Sequence, residues 1–92
     1  MKEYILNGNK YKIEKSNGDI FDYEIMKELV TDYFDIYDYI LVDEAYNKFR
    51  LKGFCDKNNS NLRPNNNIKI LDDYIKNYCA YKCKWFLLKK VK

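Results

Sequence analysis

Histidine is missing from all 92 residues. Its absence removes the commonest general base, the usual activator of a serine or cysteine nucleophile, and the most frequent metal ligand. With no catalytic constellation legible, an enzyme is not expected. Glycine is scarce as well, with only Gly8, Gly18 and Gly53, so neither a phosphate-binding P-loop nor a dinucleotide fingerprint can be written on the chain. No cofactor is expected. The three cysteines, Cys55, Cys79 and Cys83, are an odd number for a disulfide framework and one short of the four Cys or His ligands of a structural zinc site. Buried thiols in a reducing cytosol, and no metal, are the expectation. No apolar run approaches the length of about 20 residues that spans a membrane, and Met1–Leu6 lacks the basic and apolar regions of an export signal. The reading is therefore a cytoplasmic protein without membrane attachment.

What the chain does have is globular composition, 47% hydrophobic and 34% charged, in the amount of one domain, residues 1–92. Ten Tyr, five Phe and one Trp supply rings that sit half in and half out of a core, because the tyrosine hydroxyl wants water or a partner.

Tyr4-Ile5-Leu6 and Tyr11-Lys12-Ile13 flank Asn7-Gly8, a pair that tolerates the positive φ of a type I′ hairpin turn. A second turn at Asn17-Gly18 leads to Asp19 or Asp22, either of which can cap a helix. Met26, Leu29, Val30, Tyr33, Phe34 and Tyr37 then recur at helical spacing and predict a helix from Asp22 to Asp35 with those residues buried. Its other face carries Glu24, Glu28, Asp32 and Asp35. Tyr39–Val42 and Phe49–Phe54 read as a second hairpin, in which alternation separates Phe49 and Leu51 from Lys48, Arg50 and Lys52. A polar loop follows over Asp56–Asn67, with six Asn, one Ser and the only Pro. Ile68, Leu71, Ile75 and Tyr78 restore helical spacing over Asn67–Tyr78, and Tyr81–Val91 closes the chain as a strand. The order ββ-α-ββ-α-β predicts an α+β fold, an antiparallel or mixed sheet of about five strands packed with two helices.

Charge is divided along the chain. Residues 1–45 hold 11 acids and 5 bases, whereas residues 46–92 hold 3 acids and 12 bases. The fold is expected to present one acidic and one basic surface. Cations beside flat rings are what single-stranded nucleic acid needs, for phosphates and bases respectively. Arg50, Lys52, Lys82, Lys84 and Trp85 are the candidates for RNA or DNA, although lysines also serve solubility and keep strand edges from pairing. Asp43 and Arg50 are placed to pair across the second hairpin, and Gly53 marks a bulge or a close backbone approach.

Tyr37-Asp38-Tyr39-Ile40, then Asp43, Tyr46 and Arg50-Leu51-Lys52-Gly53-Phe54, is similar in order and spacing to the central signature of the YutD-like family of small bacterial proteins. Leu71, Tyr74, Tyr78-Cys79, Cys83 and Phe86–Leu88 resemble its second block, so the likeness covers about residues 37–90. The chain departs from the family where Val42-Asp43-Glu44-Ala45 replaces the usual Gly-Asp-Trp-Gly and where Cys55 replaces an aromatic residue. The resemblance implies little about function, since the family is largely uncharacterised beyond a loose description as transcriptional regulators. Two functions stay open: a nucleic-acid-binding module of gene expression on the basic strands, and a protein-interaction adaptor on the acidic helix 22–35 and Tyr37-Asp38-Tyr39.

Overall fold

Asn7 and Gly8 both adopt positive φ, +52° and +80°, and so close the tight turn between strand β1, Glu3–Leu6, and strand β2, Asn9–Asn17. The structure, a computed structural model, describes residues 2–45, 47–78 and 84–91. Tyr46, Cys79, Tyr81, Lys82 and Cys83, all singled out above, lie outside the described residues. Helix α1 spans Tyr23–Leu29, followed by a 3₁₀ turn at Asp32–Phe34. Strands β3, Tyr39–Ala45, and β4, Lys48–Phe54, form the second hairpin, and a 3₁₀ turn at Ile68–Ile70 runs into helix α2, Leu71–Tyr78. Strand β5 is Trp85–Val91.

The five strands are ordered β1-β2-β5-β3-β4, and every pair is antiparallel. The last strand thus sits between the two hairpins. Its neighbour β3 and β5 itself are buried on both faces, which is why both read as continuous apolar runs, Ile40-Leu41-Val42 and Phe86-Leu87-Leu88. Ile40, Val42, Phe86 and Leu88 join Leu6, Tyr11, Met26, Val30 and Phe34 in one core. Leu41 and Leu87 point the other way and join Phe54 and Leu71 in a second. Helix α1 covers one face of the sheet and α2 the other.

Two expectations are corrected. The helix predicted from Asp22 to Asp35 is only half as long. Asp22 caps it, accepting from the Ile25 N–H at 3.2 Å, but β-branched Val30 and Thr31 take extended conformations (ψ of 103° and −176°) and stop it after two turns. The segment is then tied to the first hairpin, where Asn7 donates to Asp32 at 2.8 Å and Asn9 to Asp35 at 2.9 Å. Of the predicted buried stripe, Met26, Val30 and Phe34 are inside, whereas Leu29 and Tyr33 are exposed. The second correction concerns β4. Its basic face is open only in part, because α2 packs on the Lys52 end, where Tyr74 meets Phe54 edge to face at 5.6 Å, whereas Lys48 and Arg50 stay exposed.

Candidate interaction surfaces

Arg50 and Lys52 share one face of β4, as alternation requires, but the fold already employs both. Arg50 stands opposite Asp43 on β3. Its Nε donates to Asp43 Oδ1 at 3.2 Å and its terminal nitrogen to Oδ2, the two-pronged geometry that suits guanidinium and carboxylate. Asp43 is only 6% exposed, so the expected cross-hairpin pair is a half-buried one. On the opposite side of Asp43 in register stands Trp85 of β5, itself half-buried against the α2 core. The Lys52 ammonium lies 5.5 Å from the ring centres of both Phe54 and Tyr74, a cation over two aromatic faces. Lys84 is exposed just before β5, where its carbonyl accepts from the Glu44 N–H at 3.1 Å. The structure therefore gathers Arg50, Lys52 and Trp85 on one face, with Lys52 and Trp85 half-buried and Arg50 exposed but paired with Asp43.

The signature residues around β3 build a joint. A Cβ on Gly53 would stand 2.3 Å from Tyr37 ring atoms, far inside any real contact, so the ring lies flat on the strand only because residue 53 has no side chain. The Asp38 carboxylate accepts from the Asp56 N–H at 2.8 Å and from Asn59 Nδ2 at 3.0 Å. Asn59 also donates to the Ile36 carbonyl at 2.7 Å. Asp38 thereby pins the start of the Asn-rich loop to the entry of β3. Its own backbone donates to Phe54 O and accepts from Lys90 N–H. Tyr39 is half-buried, with the Lys89 ammonium 5.8 Å from its ring centre.

Beside Tyr39 opens a groove of about 470 Å³ lined by Glu3, Lys12, Asp38, Asp56, Lys89 and Lys90 together with Val91. Its three carboxylates balance its three lysines, so it offers no cation excess for phosphates. Cys55 lies behind this joint, wholly buried. Burial pushes its thiol pKa up, and the nearby Asp38 charge adds to that. A reactive cysteine needs the opposite shift.

Segment 22–36 stands apart. Five large apolar side chains are exposed among the described residues, and four of them lie here: Ile25 at 36%, Leu29 at 36%, Tyr33 at 67% and Ile36 at 48%. The surrounding residues 19–38 contain seven acids and one lysine, and that lysine, Lys27, is bridged to Glu24 at 3.0 Å. Sequence reasoning placed the acids here but missed the apolar residues between them. The signal was present, since Ile25 and Ile36 fall outside the stripe predicted to be buried.

The family model described as "Putative antitoxin YutD-like" matches residues 5–89. This chain belongs to the YutD-like family. The match takes in the first hairpin and α1, extending the likeness well beyond residues 37–90. "Putative antitoxin YutD" of Bacillus subtilis strain 168 is 33% identical over 88 residues, which is 96% of this chain and 97% of that protein. The solution NMR structure of yutD from B. subtilis superposes with a TM-score of 0.80 at 32% identity, covering 100% of this chain and 84% of that one. The α+β fold of the YutD-like family and this antiparallel five-stranded sheet are thus one architecture. In that frame, Tyr37, Asp38, Gly53 and the Asp43–Arg50 pair hold the sheet and its loop in place. No described helix is long and apolar enough to cross a membrane.

Proposed function

We propose that this protein is a non-enzymatic module that binds another protein through the surface of segment 22–36. One observation carries the reading: four of the five exposed large apolar residues lie within these fifteen positions. Folding gains little from side chains left in water, and a concentrated apolar surface with polar surroundings is the usual mark of a docking site. The antitoxin name of the B. subtilis relative agrees with a protein as the partner.

The nucleic-acid reading ranks second. Arg50 is bonded to Asp43, Lys52 lies over two rings, and Trp85 packs on the α2 core. Phosphate contacts from Arg50 would have to compete with a half-buried carboxylate. Catalysis finds no support in the groove beside Tyr39 or in the Cys55 thiol.

The test is site-specific photo-crosslinking in cells that make the protein, with the reactive residue placed in turn at position 33 on the exposed segment and at position 48 on β4. Protein adducts from position 33 and none from position 48 are expected. Nucleic-acid adducts, or protein adducts from position 48 alone, would overturn the assignment.

A further inference from the structure

Resting on that reading, we infer that the partner docks a cationic amphipathic segment, apolar side chains flanked by lysine or arginine, onto residues 24–36. The exposed surface is built as four adjacent pairs, each an acid followed by an apolar residue: Glu24-Ile25, Glu28-Leu29, Asp32-Tyr33 and Asp35-Ile36. The pairs recur every three or four residues. Within α1 this spacing sets Ile25 and Leu29 on one side of the helix, with Glu24 and Glu28 in a row beside them. An apolar row with an acidic row alongside is complementary to a segment whose own apolar row is edged by cations.

Folding accounts for only part of this acidity: Asp32 and Asp35 tie the segment to the first hairpin, and Glu24 sits in the first turn of α1, where the helix dipole favours it. Glu24 and Glu28 are like charges one helical turn apart, which works against the helix. Asp32 and Asp35 receive hydrogen bonds from the amides of Asn7 and Asn9, neutral donors that leave both carboxylates charged, while the Lys90 ammonium donates to the Asp35 backbone carbonyl. Lys27 offsets Glu24 alone. The acidity is local, since the whole chain has a net charge of +3. A cationic partner is therefore drawn to this surface and repelled by the basic remainder, residues 46–92, which orients the encounter as well as strengthening it.

The experiment is fluorescence anisotropy with a labelled amphipathic helical peptide of leucine and lysine, against the same peptide with every lysine replaced by glutamate. The lysine peptide is expected to bind at least about tenfold more tightly at low salt and to weaken as salt screens the attraction. The doubly reversed variant Glu24→Lys, Glu28→Lys and the variant Leu29→Ser, Tyr33→Ser should each lose about tenfold in affinity, with unchanged circular dichroism showing that both fold. Equal affinity for the two peptides, or indifference to the charge reversal, overturns the inference. If neither peptide binds while position 33 still crosslinks to protein, the partner chemistry is wrong and the docking surface stands.

Discussion

The face of β4 and the segment 22–36 are two charged surfaces with opposite relations to the fold. On β4, Arg50 and Lys52 are charged groups that the rest of the molecule has taken up, through Asp43 and through the rings of Phe54 and Tyr74. In segment 22–36, Leu29 and Tyr33 are apolar groups that the fold covers only in part, Leu29 being 36% and Tyr33 67% exposed even though the Tyr33 ring touches Phe34 and Tyr37. Composition alone makes the first look like a binding surface and the second like a buried helix face. The difference teaches that a charge with a partner in the fold is evidence about stability, whereas a cluster of apolar side chains still partly in water is evidence about binding.

The largest effect that would sharpen this contrast is at Gly53. In Gly53→Val the new side chain meets the Tyr37 ring and expels it, costing about 3 kcal/mol in urea unfolding. Adding Tyr37→Ala should recover part of that loss, and no recovery would mean that the ring is not the obstacle. Next comes Arg50→Ala, which removes both hydrogen bonds to the nearly buried Asp43 carboxylate. A loss of about 2 kcal/mol is expected, below the cost for a fully buried pair because the guanidinium is half in water. Arg50→Lys should restore little, since an ammonium lacks the two-pronged geometry. A stripe that served only a ligand would tolerate both changes.

Tyr11 tests how far the acidic segment reaches into the core. Its hydroxyl is buried without a hydrogen-bond partner among the described residues, and its pKa is pushed up to about 12, first by burial and then by the Asp35 charge. The folded protein holds the phenol proton more tightly than the unfolded chain, so this contribution is complete below about pH 10 and is lost as pH rises towards 12. Tyr11→Phe should leave stability at pH 7 unchanged or raise it by up to about 1 kcal/mol, and should remove part of the alkaline loss. Asp35→Asn should lower the Tyr11 pKa measured by ultraviolet titration. The smallest effect is on the exposed segment, where Leu29→Ser with Tyr33→Ser, which removes the Tyr33 contacts to Phe34 and Tyr37, should cost no more than about 1 kcal/mol. A cost near that of Arg50→Ala would mean that these side chains belong to the fold after all.

Much of the architecture is legible in short-range patterns. Asn7-Gly8 announces its hairpin, alternation in β4 places Arg50 opposite Asp43, and the order of elements gives the α+β class. The position of β5 between the hairpins is not legible, because it depends on which apolar runs can bury both faces at once. The Asp22–Asp35 helix is overextended because spacing alone does not register Val30-Thr31, whose extended conformations are stabilised by what Asn7 and Asn9 hold in place. For the β4 face, the hint was Phe54 and Trp85, which share that face with Lys52 and called for a cover that α2 provides. Segment 22–36 was legible as acidic; of its exposed apolar residues, Tyr33 and Ile36 lie beyond the early end of α1, whereas Ile25 and Leu29 are within the helix, on a side the core does not cover.

The most direct test sets the two surfaces against each other in one experiment. Leu29→Ser, Tyr33→Ser and, separately, Arg50→Ala, Lys52→Ala are each assayed for urea stability and for crosslinking from position 36. The account predicts that the first variant keeps most of its stability and loses its protein adduct, while the second loses more stability and, at temperatures where it is folded, keeps the adduct. The reverse pattern would contradict it.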